Sequence, residues 1–159
     1  MMKEKDDKKD VDGLKRNEEK WGKELLDAGW VMLPSTIVER QRALGLDAMD
    51  INILLHLIRH WWYADRLPFP SKRAIADCMN INESTVRKRI KKLEAGGLVK
   101  RIERYHPSLG RDTNAYDLSG LIEEATPFAV EAVEQRKHEK KARAARRTRK
   151  RPLTIADVA

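Results

Sequence analysis

The sequence has a single cysteine, Cys78, in 159 residues, which excludes an internal disulfide and any cysteine-based zinc finger built within one chain. Cys78 is expected as a small buried filler. No run approaches the ~18 to 20 uncharged apolar residues that span a bilayer, and the lysine- and aspartate-rich start lacks the apolar core of a secretory signal. The expectation is a cytoplasmic protein with no membrane partner. Absent too are a phosphate-cradling glycine loop, a serine or cysteine nucleophile in a recognisable setting, and carboxylates paired at a site. An enzyme is therefore not expected, and neither a cofactor nor a small-molecule ligand is evident. His56 and His60 have a spacing that could grip one metal ion, but Leu57, Ile58 and Arg59 between them supply no glutamate and no third ligand is near, so ordinary packing is expected and no metal site.

Charge is plentiful, and it is unevenly placed. The net charge is +8, yet residues 136–151 hold ten Lys or Arg against Glu139 alone. Residues 1–135 sum to zero, and within them residues 71–118 carry eleven basic and six acidic side chains. Such asymmetry points to a polyanionic partner.

Four segments follow from pattern. Residues 1–20 mix seven basic with seven acidic side chains around only Val11 and Leu14, and are expected as a disordered charged arm. Residues 21–125 are the folded domain. It begins with a short helix over Trp21–Ala28, followed by a short strand at Trp30–Leu33. Thr36 and Glu39 form a capping-box pattern that opens a helix through Leu44. A further helix, apolar on more than one face, covers Ala48–Tyr63. Ser71 caps a short helix ending at Asn80, which tolerates a left-handed turn. Asn82 then caps a helix that Gly96 and Gly97 stop, and the runs LVKRIERY and NAYDL read as paired strands. Residues 126–151 form a basic helix or tail, with Thr126 as cap and Pro127 as first helical residue, and residues 152–159 form a short C-terminal tail. The fold class is mainly α with a small β-hairpin wing and charged ends that are disordered or helical.

Within that order, Ala76 sits at a close helix crossing, Asn80 and Ile81 make the turn and its apolar plug, and Val86, Ile90 and Leu93 form an inward stripe. With LEAGGLVKRIER and GRDTNAYDLSGLIE after them, these residues resemble the winged helix-turn-helix DNA-binding proteins of bacteria, phages and plasmids, including the DNA-binding parts of replication initiators. The resemblance implies a double-stranded DNA partner, read in the major groove by residues 82–95. Outward of the stripe stand Ser84, Thr85, Arg87 and Lys88, expected at base edges, with Lys91 and Lys92 along phosphates. Arg87 is the first candidate for reading guanine. Ser71 and Lys72 belong to the same DNA-facing set. At the wing, Arg104, His106 and Arg111 flank a turn that would lie over a minor groove, with Thr113 and Asn114 offering hydrogen bonds. The plainer alternatives are that the basic helix face is merely solvated and that the hairpin only completes the sheet, with Ile102 and Tyr116 packed inward. Five cations in six positions, Arg87 to Lys92, would repel one another without an anionic partner.

The leading expectation is a sequence-specific transcriptional regulator. The runner-up is a plasmid or phage replication initiator or accessory protein, and the third is a winged helix that binds RNA or protein. A homodimer is expected because Ile53, Leu57, Trp61 and Trp62 offer more apolar surface than so small a domain can cover. The basic tail is expected to hold phosphate backbones regardless of sequence.

Overall fold

Apolar side chains at helical spacing in four successive helices meet at one centre. A computed structural model describes residues 13–148. Its helices are α1 (13–21), α2 (Lys23–Asp27), α3 (Ser35–Glu39), α4 (Ala48–Ile58), α5 (Lys72–Met79), α6 (Glu83–Ala95) and α7 (Ser119–Arg147). Between α6 and α7 lie β1 (Lys100–Ile102), β2 (Tyr105–His106), β3 (Gly110–Arg111) and β4 (Ala115–Asp117). Ile53, Leu54 and Leu57 of α4, Ile75 and Ala76 of α5, and Val86, Ile90 and Leu93 of α6 are buried against Ile37, Tyr116, Leu118 and Leu121.

The hairpin is one antiparallel ribbon in two ladders. β1 pairs with β4 in the register Arg101 to Tyr116, and β2 pairs with β3 in the register Tyr105 to Arg111. The Asp112 N–H donates to the Arg104 carbonyl at 2.9 Å and bridges the two. On the other edge of β4, the Tyr116 N–H donates to the Pro68 carbonyl at 2.9 Å. The proline-rich segment 67–70 is thereby held against the sheet.

Where α7 leaves the sheet, it starts against the end of α6. The Leu121 N–H donates to the Leu98 carbonyl at 2.9 Å, and Gly120 lies so close that a Cβ there would fall 1.9 Å from the Gly97 carbonyl oxygen. Only glycine fits such an approach.

Several expectations are corrected. Residues 13–20 are helical rather than a disordered arm, while residues 1–12 and the expected tail beyond 148 lie outside the described residues. Residues 30–33 form no strand. Thr36 does not cap: Pro34 precedes the first turn, and the helix expected through Leu44 ends at Glu39. The helix expected to Tyr63 ends at Ile58. Pro127 lies inside α7 rather than starting a helix, and the Thr126 hydroxyl donates back to the Ile122 carbonyl at 2.6 Å. Cys78 is exposed, because it falls on the outer face of α5. Ile53 and Leu57 are fully buried within one chain, so the surface invoked for a dimer is not free there. Ile102 is turned outward whereas Tyr116 is buried.

Candidate nucleic-acid interface

Two helices joined by a three-residue turn set the geometry. Asn80 takes the left-handed conformation at φ 51°, which asparagine accepts at modest cost. The Ile81 N–H then donates to the Ala76 carbonyl at 3.1 Å, closing α5. Asn82 stands at the cap of α6 without a side-chain hydrogen bond. With Val86, Ile90 and Leu93 buried, the opposite face of α6 is fixed as the exposed one.

On that face Ser84, Arg87, Lys88 and Lys91 are exposed and Thr85 is half-buried. Arg87 pairs with Glu83 one turn back at 3.2 Å, with both side chains largely in solvent. Such a pair is weak and exchangeable. Lys88 and Lys91 form no ion pair among the described residues.

Arg89 and Lys92 do something else. Both reach back to the first turn of α4, where Asp47 and Asp50 cap each other's backbone: the Asp50 N–H donates to Asp47 Oδ1 and the Asp47 N–H to Asp50 Oδ2, each at 3.0 Å. The Asp50 carboxylate is fully buried and is bonded by Arg89 and by the Lys92 ammonium. Arg89 also pairs with Asp47. The Asp50 N–H, with Arg89 and Lys92 beside it, lowers Asp47 from the ordinary carboxylate range to about 2. Lys92 is shifted upward, chiefly by its hydrogen bond to Asp50. Lys92, expected along phosphates, is bonded to Asp50 with its side chain 47% exposed. It fastens α6 to α4, and no local spacing could show this because its partner is 42 residues away.

The wing contributes unevenly. Arg104 lies 3.9 Å above the Phe69 ring and pairs with Asp112 at 3.4 Å. It straps the hairpin to segment 67–70 while its side chain stays 34% exposed. The Thr113 hydroxyl donates to the Phe69 carbonyl at 3.1 Å, in the same strap. Arg111 is exposed and pairs with Glu103 at 2.9 Å. His106 holds the turn through Ser108, whose hydroxyl lies 3.0 Å from Nδ1.

Between α5, α6 and the wing runs a groove of about 380 Å³ that brings together Ser71, Lys72, Arg87, Arg111, Thr113 and Asn114. Ser71 caps α5, its Oγ accepting from the Ala74 N–H at 3.0 Å. Lys72 is shifted downward, first by burial and then by the neighbouring Arg101, Arg87 and Arg111. A half-buried ammonium among three guanidiniums gains most from an incoming anion. Arg73 lines the same groove. It was not singled out in the sequence, although its place beside Lys72 in the first turn of α5 was the available signal. His56 is half-buried and shifted downward mainly by burial. Among the described residues no cluster of three His, Cys, Asp or Glu could hold a metal ion.

Residues 44–99 match the sequence model of a helix-turn-helix domain family. The chain carries a winged helix-turn-helix domain. Its fold is similar to that of the N-terminal domain of DnaD protein from Geobacillus kaustophilus HTA426, at 19% identity and a TM-score of 0.51, covering 72% of this chain and 93% of that domain. The transcriptional regulator PA3341 is also similar, at 23% identity and a TM-score of 0.38, covering 64% of this chain and 70% of that one. No curated protein matches in sequence. No helix among the described residues is long and apolar enough to cross a membrane.

Proposed function

We propose that this protein binds duplex DNA in a sequence-specific manner, acts by binding rather than by catalysis, and regulates transcription. The reading rests on one arrangement: Ser84, Arg87, Lys88 and Lys91 stand exposed on a helix whose other face is locked in the core, with Lys72, Arg73 and Arg111 on the walls of the adjoining groove. A helix of this width fits a major groove, where Arg87 offers two parallel donors to the acceptors of a guanine edge. Lys72, Arg73 and Arg111 fit phosphates beside that groove, together with the N-terminal N–H groups of α5. Residues 136–151 add affinity for the backbone that is indifferent to sequence.

The same contacts would serve a protein that controls replication of a plasmid or phage. The two roles differ in where the bound sites lie. Selection from a pool of random duplexes is expected to yield one consensus, whose occurrences overlap promoters if transcription is the target and repeat within a replication origin if replication is. Recovery of no consensus at any salt concentration would overturn sequence-specific binding. Binding of single-stranded RNA in preference to duplex DNA would do the same.

A further inference from the structure

The long terminal helix is built as two opposite halves. Residues 119–135 of α7 hold four glutamates and no lysine or arginine, whereas residues 136–147 hold seven Lys or Arg and one glutamate. A helix dipole favours acid at one end and base at the other, but only over the first and last turns. Here the division runs along 29 residues, a rod of ~43 Å. Within the basic half, Arg136 and Lys140, Lys137 and Lys141, and Arg143 and Arg147 are like-charged neighbours one turn apart, which destabilises an isolated helix. None of the ion pairs formed among the described residues involves α7.

Burial holds only the first turns of the rod, where Arg40 after α3 also lies 5.8 Å from the Phe128 ring. Only Leu121 and Ala125 of α7 are buried, and every described residue from Val133 onward is exposed. Ile122, Val130 and Val133 remain 49%, 52% and 45% exposed on adjoining turns of one side. Ile122 also lines an apolar groove of about 470 Å³ whose walls include the exposed Trp30 and Trp62. A charged helix with an uncovered apolar strip needs a partner to offset its ordering.

We propose that α7 pairs antiparallel with α7 of a second copy of this chain. Charge complementarity selects both the occupant and its direction. Antiparallel pairing sets each acidic half beside a basic half, while parallel pairing would set like against like. With the two-fold axis at Val133, the midpoint of the helix, the two Val133 side chains meet. Glu123 then comes level with Arg143 of the second copy, and Ile122 with its Ala144. Arginines near that end reach the aromatic faces of Trp30 and Trp62. In this register Arg143 has Glu123 of the second copy to answer, and most of the ten cations in residues 136–151 stay available to phosphate.

The test is a charge exchange on the full chain, read by sedimentation and light scattering at tens of micromolar protein. One variant carries Glu123→Lys, Glu124→Lys, Glu131→Lys and Glu134→Lys. The other carries Lys137→Glu, Lys141→Glu, Arg143→Glu and Arg146→Glu. All eight positions are exposed, and circular dichroism checks that helix content is kept. The parent is expected at twice the chain mass of 18.4 kDa, dissociating as salt rises from ~0.05 to ~0.5 M. Each variant alone is expected at the single mass, and an equimolar mixture at the double mass. A parent that stays at the single mass in low salt overturns the proposal and leaves the basic half to phosphates alone. So does a dimer that both variants retain, or one that salt strengthens.

Discussion

Lys88 and Lys92 are one turn apart on the same helix with the same charge, yet their surroundings assign them different work. Lys88 faces solvent, while Lys92 is bound to the buried Asp50. Arg87→Ala and Lys88→Ala are expected to lower specific duplex affinity by ~1 to 3 kcal/mol each, with thermal stability unchanged; titration at fixed salt checks this. Lys92→Ala should do the reverse, leaving base preference intact and lowering the melting temperature. Asp50→Asn should cost ~2 to 3 kcal/mol in urea unfolding, since it weakens charged hydrogen bonds inside the core. Gly120→Ala is expected to cost ~1 to 3 kcal/mol, because the new methyl group meets the Gly97 carbonyl and either α7 or the α6 turn must shift. These contrasts also mark what a sequence can show. Val86, Ile90 and Leu93 announce their burial through their period, and Asn80 announces the turn through its backbone tolerance. The anchoring of Lys92 and Arg89 depends on carboxylates about forty residues earlier, and the stacking of Arg104 depends on Phe69 across the sheet. Charge at a helical position is legible in isolation, but the direction in which a long side chain folds is settled by tertiary neighbours.

At the level of elements, α4 and α6 behave as one body because the capping box of the first is also the anion site of the second. Asp47 ionises more readily in the folded protein than in the unfolded chain, so its contribution is complete above pH ~4 and is lost as pH falls through its folded value of about 2. The stability difference between the parent and Asp47→Ala, followed by urea unfolding, should therefore be constant from pH 7 to pH 5 and shrink as pH approaches 2. Persistence of the full difference at pH 2 would mean that packing, not charge, accounts for it. Helix interiors were legible from the pattern while several ends were not. Pro34 and Pro127 show why. The backbone restriction of proline suits the residue before a helix, the first turn, or an interior position where neighbouring contacts carry the helix across. Pattern cannot choose among these. In α7, Leu121 and Ala125 anchor the turns before Pro127 and the helix continues through it.

For the whole molecule, the notable division is between a nearly neutral folded body and an intensely basic terminal stretch. On a duplex carrying one site, deleting residues 136–159 is expected to lower the magnitude of the slope of log affinity against log salt by ~4 to 5 if about five cations neutralise phosphates. The bases read within a single half-site should be unchanged, while any fixed spacing between two half-sites is lost with the α7 pairing. An unaltered slope would remove the tail from the interface, and altered bases within the half-site would move base reading away from α6. That division of labour was visible in charge bookkeeping alone, whereas the helical continuity that carries the basic stretch away from the core was not, because proline at 127 reads as a boundary. The pinning of α6 by Asp47 and Asp50 has a kinetic corollary as well. If α6 reads DNA as proposed, a helix already fixed before contact has no folding step to complete on the duplex, so encounter would be limited by orientation and electrostatic steering, and the lifetime of the complex, more than its rate of formation, would distinguish a cognate site from a random one.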